Sequence, residues 1–307
     1  MQLPRVAVLI PCFNEAVAIP EVIGAFRAAL PEAAIHVYDN NSTDGTSEAA
    51  RRAGALVGHE GQQGKGHVVR RMFADVQADI YVLVDGDGTY DAAAAPGMIA
   101  LLRERRLDMV TATRVETATR AYRPGHRTGN TVLSGLVARL FGARVSDMLS
   151  GYRVFSRRFV KSFPALSGGF ETETELTVHA LQLGMPLGEM SAAYRERPAG
   201  SASKLRTLRD GLRILRLILL LVKDEKPLPF FSAMGAALLL MGLLLGGSVV
   251  VEFWRTGLVP RLPTAIVAAA LVALSFLSFA CGLILDSVGR GRRESKRLAY
   301  LALAAPE

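Results

Sequence analysis

The chain has 307 residues, a formal charge of +8, and hydrophobic side chains at half of its positions. That length suits one large domain or two smaller ones, and the positive excess calls for an anionic partner such as phosphate or a membrane surface. Two cysteines, Cys12 and Cys281, exclude a disulfide framework and fit a reducing compartment. Nucleic acid is excluded as a partner, because the arginines lack interleaved aromatics and no helix-turn-helix or zinc spacing occurs.

The run VAVLI near the start is too short for a signal-peptide core, so the first two hundred residues are expected in the cytoplasm. From residue 5 to about 112, β-rich runs alternate with helical spacing. RVAVLI reads as a strand and AVAIPEVIGAFRAAL as a helix. AIHVYD is again a strand, TSEAARRAG a helix, HVVRRMFADV a helix and IYVLVD a strand. AAPGMIALLRER then reads as a helix and DMVTATR as a strand. This alternation predicts an α/β fold with a mostly parallel sheet and helices on both faces. Ligands of such sheets bind beyond the carboxyl ends of the strands. Asn14 and Glu15 follow the first strand, Asp39 to Asp44 the second, and Asp85 and Asp87 the IYVLVD strand, so all three clusters are expected at one edge.

Residues 113–204 are less regular and rich in Arg, Gly and Ser, and read as loops and short helices closing over the site. In LRTLRDGLRILRLILLLVK, Arg206, Arg209, Arg213 and Arg216 fall at spacings of three and four beside Leu205, Leu208, Leu212 and Leu215. That stripe predicts a basic amphipathic helix lying in the headgroup plane and orienting the soluble domain. A solvated cytoplasmic helix is the other reading. Phe230 to Val251 and Thr264 to Leu285 are 22 residues each without a charge, and about 20 suffice to cross a bilayer. A short linker, EFWRTGLVPRLP, joins them and a basic GRGRRESKR follows, so the positive-inside rule places both termini in the cytoplasm. The expected organisation is a catalytic domain over 1–204, the amphipathic helix over 205–227, a two-helix transmembrane hairpin over 228–286 and a basic tail over 287–307.

At the end of the IYVLVD strand, Asp85 and Asp87 are two apart; in an extended segment they point the same way and can share one cation. Mg²⁺ or Mn²⁺ suits such oxygen ligands, with substrate phosphates and water completing the shell. GQQGKGH fails as a phosphate loop, because Lys65 is followed by Gly66 instead of Ser or Thr. PCFNE after the first strand is not G-x-G-x-x-G, which excludes a nicotinamide or flavin site of that type.

The ordered set IPCFNEAVAIPEVI, YDNNSTDGT, GKGHVVRRMF and VDGDGTYD resembles the inverting family 2 glycosyltransferases of GT-A fold. With SGYRVFSRRF, GSASKLRTLRDG and the C-terminal hairpin, the chain looks like the dolichyl- or polyprenyl-phosphate sugar synthases, over roughly residues 5–210. The resemblance implies that Pro11, Asn14 and Glu15 line a nucleotide-sugar pocket, with Asp39 near the base or ribose. Lys65 would lie beside them, a solvated loop lysine being the other reading. Asp85 and Asp87 would hold Mg²⁺ or Mn²⁺ on the donor diphosphate, Arg114, Arg127 and Thr131 would grip the acceptor phosphate, and Lys204 would reach the departing diphosphate. Two departures stand out: Thr89 replaces a common glutamine ligand, and DNN replaces the usual DDG. Glu171, Glu173 and Glu175 read as acids favoured at a helix N-terminus and stay outside the site. The competing readings are a family 2 enzyme acting on a hydroxyl of a glycolipid or polysaccharide, and a non-catalytic nucleotide-sugar or lipid-binding membrane protein. A small homo-oligomer is compatible with the resemblance.

Overall fold

The computed structural model describes residues 4–116, 135, 146–169, 171–195, 220, 223 and 226–306. It divides into two units, Met1–Leu212 with Lys296–Glu307, and Arg213–Ser295.

In the first unit the strands are β1 Val6–Cys12, β2 Ala34–Asp39, β3 Leu56–His59, β4 Ile80–Leu83, β5 Met109–Glu116, β6 Arg153–Ser156 and β7 Leu187–Tyr194. They form one sheet in the order β3-β2-β1-β4-β6-β5-β7. Neighbours run parallel except β6, which is antiparallel to both β4 and β5. The helices are α1 Ile19–Ala29, α2 Thr46–Arg52, α3 Lys65–Asp75, α4 Ala95–Glu104, α5 Arg157–Ser162 and α6 Thr172–Leu183.

Alternate residues of the central strands feed two cores. Val8, Ile10, Ile80 and Val82 pack with Ile23 and Phe26 of α1 and Leu102 of α4. Ala7, Leu9, Tyr81 and Leu83 pack with Met72 and Phe73 of α3, Phe159 of α5 and Leu176 of α6. Covered on both faces, these strands read as continuous apolar runs.

The expected strand over AIHVYD coincides with β2, and the other elements expected before residue 112 fall within a few residues of those observed. Three strands differ from expectation. β3 has only four residues, at the sheet edge, and its side chains are half-buried or exposed. β6 and β7 lie in the stretch expected to be loops and short helices. β6 begins with a charged residue that is nevertheless fully buried, and β7 is an edge strand of mixed polarity. Neither gives a hydrophobic signal of its own.

The second unit contains most of two long helices, α7 Pro227–Thr256 and α8 Leu262–Leu301. Both are long and apolar enough to cross a membrane. Gly235, Gly242 and Val249 of α7 and Ala268, Ser275 and Gly282 of α8 are buried at intervals of seven residues. A Cβ on Gly242 would sit 3.0 Å from Val272 and 3.2 Å from the Ala268 carbonyl. Small residues thus bring the two backbones together, as is usual where lipid offers no hydrophobic drive. The Ser278 hydroxyl ties them further by donating to the Phe231 carbonyl at 2.8 Å.

Helix α8 runs past the expected apolar span to Leu301, and its last residues group with the first unit. There Tyr300 donates to Asp108 Oδ2 at 2.8 Å and Lys296 to Gln182 Oε1 at 2.8 Å. The basic amphipathic helix expected over 205–227 lies outside the described residues except at 220, 223, 226 and 227.

Candidate active site

The carboxyl ends of β1, β2 and β4 share one edge of the sheet, because these strands run parallel. Pro11 belongs to β1, and Asn14 and Glu15 follow it in a turn that places Asn14 at φ 54°. Asn14 donates its N–H to the Ser42 hydroxyl at 2.8 Å and accepts from Thr43 N–H at 2.8 Å. Glu15 is buried and donates its N–H to Thr46 Oγ1 at 2.9 Å. Asp39 ends β2 and turns inward, accepting from Ser42 N–H at 3.3 Å and from the Ser47 hydroxyl at 2.9 Å. The loops after β1 and β2 therefore brace each other. Thr46, fully buried, links them and had no signal in the sequence.

The asparagines of DNN have a structural use. Asn40 donates to the carbonyls of Glu60 and Gln62 at 2.8 and 2.7 Å, and its Oδ1 accepts from Gly64 N–H at 2.7 Å. Asn41 donates to the Gly61 carbonyl at 2.9 Å. The GQQGKG loop is thus fastened to the end of β2, and α3 begins at Lys65. Gly66 lies so close to the backbone of residue 167 that a Cβ would stand 2.0 Å from its carbonyl oxygen. Only glycine lets the loop seat there.

Lys65 is not a solvated loop lysine. Its ammonium lies 2.5 Å from Asp85 Oδ1 and in direct contact with Glu173 Oε1, and its side chain is 10% exposed. Burial alone would lower its pKa, but Asp85 and Glu173 together outweigh burial and raise it, so Lys65 carries a full charge. Glu173 is itself buried, and its Oε2 has no hydrogen-bond partner among the described residues. Sequence reasoning left Glu173 out. Its neighbour Glu175 fastens the preceding loop, accepting the N–H groups of Leu166 and Ser167 at 2.8 Å each.

Asp85 and Asp87 do not lie in an extended segment: β4 ends at Leu83, and Asp87 falls in the turn that follows. Asp87 is held by an anchored turn and not by the strand period. Asp87 is 5% exposed, and its Oδ1 accepts from the Thr89 hydroxyl at 2.7 Å and the Thr89 N–H at 3.2 Å. Thr89, which stands where a glutamine is common, holds Asp87 through these two bonds.

The reversed direction of β6 brings Gly151 to the same edge, where a Cβ would meet Asp85 Oδ2 at 2.3 Å. Gly151 donates its N–H to the Tyr90 hydroxyl at 2.9 Å, and burial raises the pKa of that phenol. Below the loop, Arg153 is fully buried. It donates to the carbonyls of Ser150 and Met148 at 3.0 and 2.6 Å and to Thr177 Oγ1 at 2.8 Å. Burial pushes its pKa down to about 10, opposed by the nearby charges of Glu173 and Asp147.

Arg114, on β5, meets Asp147 in a two-point pair, Nε to Oδ2 at 2.6 Å and Nη2 to Oδ1 at 2.8 Å, with the guanidinium 5.5 Å from the Tyr194 ring centre. Arg127, Thr131 and Lys204 lie outside the described residues.

Asp85 and Asp87 fit a hard divalent cation. They offer carboxylate oxygens, Gly151 packs close against Asp85, and Thr89 holds Asp87. Among the described residues no group of three His, Cys, Asp or Glu side chains could hold a metal. A pair of carboxylates completed by phosphate and water is the set Mg²⁺ commonly takes.

Residues 7–163 match the family model "Glycosyl transferase family 2". The chain is 33% identical to glycosyltransferase AglJ of Haloferax volcanii, over 96% of this chain and 98% of that one. It is 27% identical to a dolichyl-phosphate hexose transferase of the same organism, over 72% of this chain and 95% of that one. Among solved structures, glucosyl-3-phosphoglycerate synthase from Mycobacterium tuberculosis, in complex with Mn²⁺, UDP-glucose and glycerol 3-phosphate, superposes with a TM-score of 0.57 at 21% identity, over 72% of this chain and 80% of that one. At that identity the match shows the fold alone, a GT-A-like sheet.

Proposed function

The chain belongs to glycosyl transferase family 2, and on that premise we propose that it transfers a hexose from a UDP- or GDP-sugar to a polyprenyl or dolichyl phosphate, with inversion at the sugar carbon. The observation that carries this reading is the ion pair of Lys65 with Asp85 just beyond the carboxyl end of β4, with the buried Asp87 anchored in the turn two residues on. A phosphate-lipid acceptor is supported by the two helices of membrane-spanning length and by the relative named for dolichyl phosphate. In this reading 1–204 is the catalytic domain, 228–286 the membrane hairpin, and both termini are cytoplasmic.

Asp85 and Asp87 would hold Mg²⁺ or Mn²⁺, which neutralises a diphosphate leaving group. Pro11, Asn14 and Glu15 would line the nucleotide, with Asp39 setting the loop that borders the base or ribose. Asp147 sets the plane of the Arg114 guanidinium that meets the acceptor phosphate, with Arg127 and Thr131 assigned to the same phosphate and Lys204 to the diphosphate. A phosphate monoester has its second pKa near 6 and is already a dianion at neutral pH. The acceptor therefore needs alignment and charge stabilisation more than a general base.

The test uses the full chain in detergent with Mg²⁺ or Mn²⁺, a short polyprenyl phosphate and a panel of UDP- and GDP-sugars. A sugar-phospholipid detected by mass spectrometry, and lost in Asp87→Ala, supports the reading. Turnover of the donor with a glycosylated hydroxyl and no modified lipid phosphate would replace it with the hydroxyl-acceptor reading.

A further inference from the structure

Lys65 is shared between two carboxylates that come from distant parts of the chain. Asp85 follows β4, 20 residues on, and Glu173 lies in the first turn of α6, 108 residues on. The two ends of this bridge differ. Asp85 is 31% exposed, at the open edge of the site, whereas Glu173 is 7% exposed. Glu173 also keeps a second buried oxygen without a partner among the described residues. The fully buried Arg153 gives its hydrogen bonds to two carbonyls, a hydroxyl and the Met109 sulfur, and the charge of Glu173 acts on it. Glu173 is therefore held by Lys65 through one carboxyl oxygen and keeps the other in reserve.

A divalent cation on Asp85 would meet the Lys65 ammonium at the same carboxylate, and two cations at contact distance repel strongly in a partly buried site. An ammonium has three N–H donors. The one released from Asp85 has an acceptor waiting, the second oxygen of Glu173. We propose that Lys65 is a movable counter-ion: it balances Asp85 and gives that carboxylate up to the metal and the donor diphosphate by retreating onto Glu173. Lys65 and Glu173 are then positioning residues that set how readily the acidic pair takes its cation. This rests on the reading of Asp85 and Asp87 as metal ligands.

The probe is Mn²⁺ alone, bound to the full chain in detergent and followed by electron paramagnetic resonance, with Asp87→Ala as the control for the parent reading. Lys65→Met removes the competing cation, so Mn²⁺ affinity is expected to rise about tenfold or more. Glu173→Gln keeps the shape but removes the place of retreat, so affinity is expected to fall by a similar factor. In the double variant the Gln change should have little further effect, because Glu173 acts through Lys65. Equal effects of Glu173→Gln with and without Lys65 would reduce its role to distant charge and overturn the proposal. So would a fall in affinity on Lys65→Met. If Lys65→Met loses its circular-dichroism signature, Glu173→Gln decides alone, and an unchanged Mn²⁺ affinity there overturns the proposal. Wild-type binding no tighter than that of Asp87→Ala would instead overturn the metal reading, and the exchange with it.

Discussion

Thr89 gives both its hydroxyl and its backbone N–H to a single oxygen of Asp87, at 2.7 and 3.2 Å. The pairing fixes the rotamer of a buried acid in a turn, where the backbone alone would leave it free to swing. Thr89→Val keeps the shape and removes the hydroxyl. We expect a loss of about 1–2 kcal/mol in Mn²⁺ binding, seen as a roughly tenfold weaker dissociation constant, with Thr89→Ser close to wild type. Equal Mn²⁺ affinity in all three proteins would rule out the orienting role.

Arg153 bonds two carbonyls of the 146–151 segment to Thr177 of α6. Arg153→Met leaves those acceptors buried without a donor, at a cost of about 2–4 kcal/mol in stability. Denaturant unfolding of the first unit should show this as a lower midpoint, with Arg153→Lys between the two. A midpoint unchanged by Met would mean that water or a neighbour replaces the guanidinium at no cost.

His179 is buried against Phe159 and Phe163, with Nε2 3.2 Å from the Ser162 hydroxyl and Nδ1 unpartnered among the described residues. Burial, then the charge of Lys296, push its pKa down to about 3. The folded state thus keeps His179 neutral while the unfolded chain protonates it near pH 6.5. Its contribution is complete above pH 6.5 and is lost progressively as pH falls from there towards 3, with a slope of up to about 1.4 kcal/mol per pH unit. Thermal melts between pH 7 and pH 4 should show this acid sensitivity reduced in His179→Gln. A parallel decline in the variant would assign the sensitivity to other groups.

Within the hairpin, Gly242 and Gly247 offer a paired comparison. A Cβ at 242 meets Val272 and the Ala268 carbonyl, whereas one at 247 meets nothing within 4 Å. Gly242→Leu should lower the melting temperature of the detergent-solubilised protein by several degrees and Gly247→Leu should leave it unchanged. Equal effects at the two positions would contradict the observed packing.

Much of the first half of the fold was legible because its strands are covered on both faces and its helices keep a clean apolar stripe. β1, β2 and β4 announced themselves, and with them the edge where Asn14, Asp39 and Asp85 meet. β6 did not, since its leading Arg153 reads as solvent-facing and is in fact enclosed by carbonyls. Without β6 nothing indicates that Gly151 closes on Asp85. Glu173 was obscured differently: three acids at alternate positions at the start of a helix have one common explanation, the helix dipole. What separates Glu173 is a lysine 108 residues away, and spacing along the chain carries no trace of that.

The Asn40 bracket also bears on how this enzyme can be rebuilt. Its side chain offers donors to Glu60 and Gln62 and an acceptor to Gly64, a combination only an amide supplies. Aspartate in its place would set a carboxylate against two carbonyl oxygens. The segments 39–47 and 60–66 therefore form one interchangeable cassette. A chimera that exchanges 39–47 alone would unfasten the 60–64 loop and displace Lys65, even though residues 39–47 contain neither Asp85 nor Asp87.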